Sequence, residues 1–157
     1  MLGYRNRFTI GTQYLGTRQA DPNFANVQGD RAGKSKDQIH TAANAGIYGE
    51  NQLDAMENCT MVVGGRGGYA HRGVRDRFQV APDPIGNDSG TVDDFSFSPK
   101  LGLIWRAMPS IQVYGNASGA YEPPLVLDLT VPGQINGDFR RLKAQKSWQF
   151  EVGTRGW

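Results

Sequence analysis

Two groups of arginines are the side chains of this chain best suited to bind an anionic ligand. Arg72, Arg75 and Arg77 stand close together, and Arg140 with Arg141 forms a second group nearer the end of the chain. A planar guanidinium pairs with a carboxylate through two parallel hydrogen bonds, so arginine is well suited to recognising that group. The alternative interpretation is that all five are solvated loop residues.

The sequence contains no residue pattern typical of a catalytic site. His40 and His71 lie far apart, and neither belongs to an HxxxH or HExxH motif of the kind that binds zinc. The glycine-rich run Gly64–Gly68 is not followed by Lys-Ser or Lys-Thr, which a phosphate-binding loop requires. Glu151 and Arg155 share one parity of a strand-like segment, which favours polar pairing across strands. We therefore expect no enzymatic activity, no bound metal and no cofactor.

The elements that position these side chains are strands, because apolar and polar residues alternate with a period of two. In the segment 97–124, FSPKLGLIWRAMPSIQVYGNASGAYEPP, Leu101 and Leu103 share one parity while Lys100 and Gly102 share the other. No segment shows a helical period of useful length. The six predicted strands are Arg5–Leu15, Ala43–Leu53, Cys59–Ala70, Phe95–Trp105, Ile111–Ser118 and Ser147–Gly156.

Short and long connections alternate between the predicted strands. Asp54–Asn58 and Arg106–Ser110 are short, whereas Gly16–Ala42, His71–Asp94 and Gly119–Lys146 are long and rich in Gly, Pro, Asn, Asp and Arg. Several structureless loops above about twenty residues are unusual in a compact soluble domain. Outer-membrane barrels, by contrast, combine short periplasmic turns with long extracellular loops. Strand lengths of about 9–11 residues also match tilted membrane-spanning strands.

Composition limits the function classes further. The chain has 157 residues, enough for one domain, and 38% of them are hydrophobic. Its 17 basic and 15 acidic residues nearly balance, and no basic run indicates nucleic-acid binding. No apolar run is long enough for a transmembrane helix or a signal peptide. A soluble β-sandwich and a membrane barrel both stay open, because half of each barrel strand faces water and lowers the overall hydrophobicity.

Four segments carry a family resemblance: IYGENQL at 47–53, CTMVVGGRGGY at 59–69, the hairpin at 97–124 quoted above, and LKAQKSWQFEVGTRG at 142–156. Their order and spacing resemble TonB-dependent outer-membrane receptors over nearly the whole chain. Two details depart from the family pattern. Gly67 follows Arg66 where an aromatic residue is usual, and Gln145 stands where an acidic residue is usual.

The resemblance implies an all-β antiparallel meander that forms part of a transmembrane β-barrel in the outer membrane of a Gram-negative bacterium. It implies that the apolar side of the sheet contacts outer-membrane lipid and that the polar side faces the lumen. The family combines an N-terminal plug with a barrel of about 22 strands, so we expect residues 1–157 to be a partial barrel domain, a fragment without the plug. The expected lumen-facing residues are Lys100, Gln112, Tyr114, Asn116 and Ser118.

The sequences of the last two segments are most similar to those of receptors for ferric citrate-like or other ferric siderophores. The resemblance therefore implies import of a ferric siderophore or similar iron chelate, driven by TonB through the plug. Such a chelate already saturates its iron, so the receptor needs hydrogen-bond donors and aromatic surfaces instead of metal ligands. A passive porin-type barrel and a soluble β-sandwich binding module are the alternatives. The expected ligand-binding residues are Arg72, Arg75, Arg77, Tyr121, Arg140 and Arg141.

Overall fold

A computed structural model describes residues 5–78, 87–130 and 139–156 of the chain. These residues form one antiparallel sheet in which each strand pairs with its neighbours in the sequence. The predicted all-β meander of six strands is confirmed, and the sheet forms a half-barrel. The strands are β1 (Asn6–Val27), β2 (Asp30–Met56), β3 (Cys59–Asp76), β4 (Gly90–Met108), β5 (Ile111–Glu122) and β6 (Gln145–Gly156), and a 3₁₀ turn, η1, spans Val126–Leu129.

Both predicted short connections are tight turns. β2 ends at Met56 and β3 begins at Cys59, while β4 ends at Met108 and β5 begins at Ile111. Because all neighbouring strands are antiparallel, the two turns lie at the same end of the sheet, which we call the turn end. The opposite end, where β3 leads towards β4 and β5 towards β6, is the loop end.

The prediction that Gly16–Ala42 forms a long loop is wrong. β1 and β2 continue as one paired ladder from Asn6 opposite Leu53 to Val27 opposite Asp30. The hairpin closes with Gln28 and Gly29, whose φ angles of 53° and 96° suit a two-residue turn that follows the twist of the strands. Polar residues on both sides hide this ladder in the sequence, because a strand with water on both faces shows no apolar alternation.

The other two long connections are shorter than the sequence predicts. β3 continues to Asp76 and β4 already begins at Gly90, while β5 continues to Glu122 and β6 begins at Gln145. The backbone pairing of these strand extensions, not a hydrophobic pattern, decides where they end.

Among the described residues, none belongs to a helix with the length and hydropathy needed to cross a membrane.

Side chains on the two faces of the sheet differ in kind. Residues directly opposite one another share a face, so Leu101 lies with Val63 and Ala117, and Lys100 lies with Gly64 and Ser118 on the other side. We call the first the apolar face and the second the polar face. The apolar face carries Phe8, Ile10, Tyr14, Val63, Phe95, Phe97, Leu101, Leu103, Trp105, Trp148, Phe150 and Val152, all of them exposed.

A band without charged residues runs across the apolar face. Tyr14, Tyr69 and Phe95 lie in one line of paired residues across β1 to β4, and Trp148 lies on β6 towards the same end. We call these four the aromatic row. Between the aromatic row and the turn end, no Asp, Glu, Lys or Arg occupies an apolar-face position of the six described strands.

Candidate functional site

The polar face carries a network of side-chain hydrogen bonds between strands. Lys100 Nζ donates to Glu50 Oε2 at 2.6 Å. Glu151 accepts from Tyr114 OH at 3.2 Å and from Asn116 Nδ2 at 2.8 Å. The Lys100–Glu50 pair joins β4 to β2 across Gly64 of β3, and the Glu151 bonds join the neighbouring strands β5 and β6.

All five residues expected to face the lumen lie on this polar face. Gln112 accepts a hydrogen bond from Arg155 Nη2 at 2.5 Å, and Ser118 lies opposite Lys100 in the β4–β5 ladder. Half-exposed polar pairs of this kind contribute little to stability, about 0.2–1 kcal/mol each. Together these pairs give the polar face a hydrated surface of hydrogen-bond donors and acceptors. A polar solute or a docked protein surface can form hydrogen bonds with such a surface.

Arg72 holds the start of the β5–β6 connection against the sheet. Its side chain is only 6% exposed. The guanidinium donates to the backbone carbonyls of Pro124 (Nε, 3.0 Å), His71 (Nη1, 2.8 Å) and Ala43 (Nη1, 3.3 Å). Burial lowers the pKa of Arg72, but arginine keeps its charge at any physiological pH. Arg72 therefore joins β2, β3 and the segment after β5 at one point.

The β5–β6 connection covers the loop end of the polar face. Leu129 of η1 is fully buried, and η1 contacts β2 and β3. The Arg140 amide donates to the Leu129 carbonyl at 2.8 Å, so the two described arms of the connection are joined. The Phe139 ring lies so close to Gly90 that a Cβ at that position would collide with it.

Two polar side chains of β2 are buried at the loop end. Gln38 is 1% exposed and donates from Nε2 to Asp88 Oδ2 at 2.6 Å. His40 is 2% exposed, with Nε2 3.7 Å from Asp21 Oδ2. Burial and the nearby Lys36 charge lower the pKa of His40, and Asp21 opposes them only in part. His40 is therefore held neutral.

The described residues contain no group of three or more His, Cys, Asp or Glu side chains that would hold a metal ion. The chemistry available on the polar face is hydrogen bonding and charge pairing. That combination suits binding and passage of a polar solute.

The family model described as TonB-dependent receptor-like, beta-barrel matches residues 1–157. The chain belongs to this family. No curated protein matches the chain. Receptors of this family are β-barrel transporters of the Gram-negative outer membrane and are not enzymes, so a passive porin and a soluble β-sandwich module are not favoured. Transport of a substrate with coupling to TonB is general to the family.

The sequence suggests one cluster for the first three arginines of the receptor chain, and the structure separates them. Arg72 lies on the polar face, whereas Arg75, opposite Ile39, lies on the apolar face and is exposed. Arg77 Nη2 pairs with Asp37 Oδ1 at 2.5 Å. The alternation of side chains along a strand explains this result, because residues an odd number apart point to opposite faces.

The remaining predicted ligand residues lie near the cover. Arg140 and Arg141 are exposed at the loop end, and the Arg140 backbone is fixed by Leu129. Tyr121 is half-buried, and burial together with the Asp94 carboxylate raises its pKa, so its hydroxyl stays protonated. Contact of any of these residues with a ligand stays a prediction.

Sequence reasoning missed the buried set at the loop end. The sequence raises His40 only as a candidate metal ligand, and neither Gln38 nor Leu129 belongs to a recognisable motif. Gln38 is buried beside Asp88, 50 residues along the chain, and Leu129 is buried in η1, which contacts β2 and β3. No local pattern in the sequence signals that contact.

Proposed function

We propose that this chain forms part of the barrel wall of a receptor that imports a ferric siderophore or a similar iron chelate. In this proposal the apolar face contacts outer-membrane lipid and the polar face lines the lumen around the plug. The observation that carries the proposal is the two-sided sheet, which has a charge-free apolar band on one face and hydrogen-bonded polar pairs on the other. Such alternation is what a wall between lipid and water requires.

Ligand capture in this proposal belongs to the covered loop end. Arg140 and Arg141 offer exposed guanidinium groups to a chelate whose carboxylates or other anionic groups surround the iron. Tyr121, half-buried near the end of β5, offers part of its aromatic surface. Arg72 and Arg77 are already committed to carbonyl and carboxylate partners, so we propose that they position the loop end and do not touch the ligand.

An uptake assay in an iron-restricted strain that lacks the chromosomal receptor gene tests this proposal. The full-length receptor is expected to restore uptake of at least one radiolabelled anionic ferric chelate, and only when TonB is present. Arg140→Gln with Arg141→Gln is expected to raise the concentration for half-maximal uptake about tenfold or more. One charge-assisted hydrogen bond contributes about 1.5–3 kcal/mol, and about 1.4 kcal/mol corresponds to tenfold in affinity.

The matched control removes the same charge from the turn end, with Arg106→Gln and Arg155→Gln. This variant is expected to leave the half-maximal concentration unchanged. The proposal fails if no ferric chelate in the panel is imported, or if a non-ferric nutrient is imported instead. The assigned arginines are wrong if both double variants weaken uptake equally.

A further inference from the structure

Cations on the apolar face are confined to its loop end. On three strands an aromatic residue of the aromatic row is followed, towards the loop end and on the same face, by a basic residue. The pairs are Tyr14 with Arg18 on β1, Tyr69 with Arg75 on β3, and Trp148 with Lys146 on β6. At about 3.3 Å per residue, each cation lies roughly 7–20 Å beyond its aromatic neighbour.

The turn end of the same face is different. Its positions hold residues such as Leu53, Met61 and Ile111, while the basic side chains there, Arg106 and Arg155, lie on the polar face. If the basic residues served only for solubility, or only to mark the two membrane–water interfaces, we would expect them on the apolar face at both the loop end and the turn end. The difference therefore indicates an anionic partner that contacts the apolar face at its loop end.

The three cations Arg18, Arg75 and Lys146 are exposed. Across residues 5–78, 87–130 and 139–156, none of them takes part in an ion pair. The acidic residues of that part of the apolar face already have partners. Asp37 pairs with Lys34 and Arg77, and Asp93 accepts from Tyr69 and contacts His71 Nδ1 at 2.7 Å.

We propose that Arg18, Arg75 and Lys146 bind the phosphate groups of lipid headgroups in the membrane leaflet on the loop side. Lipid acyl chains contact the charge-free band of the sheet. The aromatic row marks the boundary of the hydrocarbon region, where amphipathic rings are favoured. Cations just beyond that boundary meet the headgroups. Guanidinium groups bind phosphate through paired hydrogen bonds, and an ammonium binds it as a point charge.

This inference rests on the orientation given in the proposed function, with the apolar face towards lipid. It does not depend on which ligand the receptor imports. It assigns to Arg75 a role that its sequence neighbours do not share, because Arg72 lies on the polar face and Arg77 pairs with Asp37.

Native mass spectrometry of the full-length receptor in mild detergent tests the inference, with phosphatidic acid as the phosphate-bearing probe and phosphatidylcholine as the comparison. The parent receptor is expected to retain phosphatidic acid at least tenfold more strongly. The variant with Arg18→Gln, Arg75→Gln and Lys146→Gln is expected to lose most of that preference. A matched variant with Arg7→Gln, Arg106→Gln and Arg155→Gln, which removes equal charge from the polar face, is expected to keep it.

Several results would overturn the inference. It fails if both triple variants retain phosphatidic acid equally, or if millimolar inorganic phosphate displaces the lipid as well as a lipid competitor does. Loss of retention in the polar-face variant alone would show that the apolar face does not meet lipid. If the first triple variant does not assemble, the three single variants, each expected to lose part of the preference, give the answer. The uptake assay is separate, so failure to import iron leaves this result standing.

Discussion

Leu103 gives the sharpest test of which face of the sheet meets lipid. It lies on the apolar face between Met61 and Gly115 and is 47% exposed. Leu103→Lys in the full-length receptor puts a charge on that face. The neighbouring Ile104 lies on the polar face opposite Thr60 and Tyr114, so Ile104→Lys is the matched control with the same new charge one residue away.

The size of the effect follows from the depth of Leu103. β4 ends at Met108, and at about 3.4 Å per residue Leu103 lies about 17 Å along the strand from that end. A tilt of about 40° brings this to about 13 Å in depth, which is the midplane of an apolar band about 25 Å tall. A lysine at the midplane costs about 2–4 kcal/mol. That cost corresponds to a change of roughly 30- to 1,000-fold in the folding equilibrium.

Urea-dependent folding of the receptor into phosphatidylcholine vesicles, followed by tryptophan fluorescence, measures the two free energies. Leu103→Lys is expected to lower the free energy of unfolding by the amount given above, and Ile104→Lys by clearly less, because the lumen is hydrated. Equal losses, or a larger loss for Ile104→Lys, would refute the assignment of faces. The alternation of side chains makes this decisive, since a shift of one residue exchanges the two faces.

Further predictions concern the loop end, the sheet and the isolated chain. His40 has a lowered pKa, so its contribution to stability is present above its unfolded pKa, about 6.5, and is lost as the pH falls below that value. Thermal unfolding of the full-length receptor between about pH 5 and 8 is expected to show this slope, and His40→Gln is expected to reduce it; an unchanged slope would contradict the assignment. Arg72→Gln removes hydrogen bonds to three carbonyls and is expected to speed limited proteolysis within residues 123–130 severalfold, whereas Arg75→Gln is expected to leave the rate unchanged. A Cβ at Gly64 would lie 2.9 Å from the Gly49 carbonyl oxygen, whereas one at Gly115 meets ordinary contacts of 3.7 Å and 3.9 Å. Gly64→Ala is therefore expected to lower the free energy of unfolding by about 1–3 kcal/mol, measured by the same vesicle assay, and equal effects of Gly64→Ala and Gly115→Ala would contradict the close packing. The 157-residue chain expressed alone is expected to aggregate in buffer without detergent, because its apolar face and the free edges of β1 and β6 stay exposed; a sharp monomeric peak in size-exclusion chromatography would argue against this.

The parts of the fold that the sequence predicts well are those that face two different surroundings. Leu101 and Leu103 alternate with Lys100 and Gly102 because one side of β4 is apolar and the other polar. The same pattern gives the six strands, the two tight turns and the shared face of the expected lumen residues. The alternation of apolar and polar residues is a local property of each strand. It can therefore be recognised without knowing which strands pair.

Only the tertiary structure decided the loop end. The ladder from Gly16 to Ala42 forms because two polar strands satisfy each other's backbone groups, and such pairing leaves no apolar signature in the sequence. Arg72 has its role because Pro124, 52 residues away, comes within 3.0 Å of its guanidinium. Arg75 lies on the other face of the sheet, opposite Ile39. The sequence alone shows that each of these residues can donate charged hydrogen bonds. The partner of each arginine depends on which strands and segments the fold brings beside it.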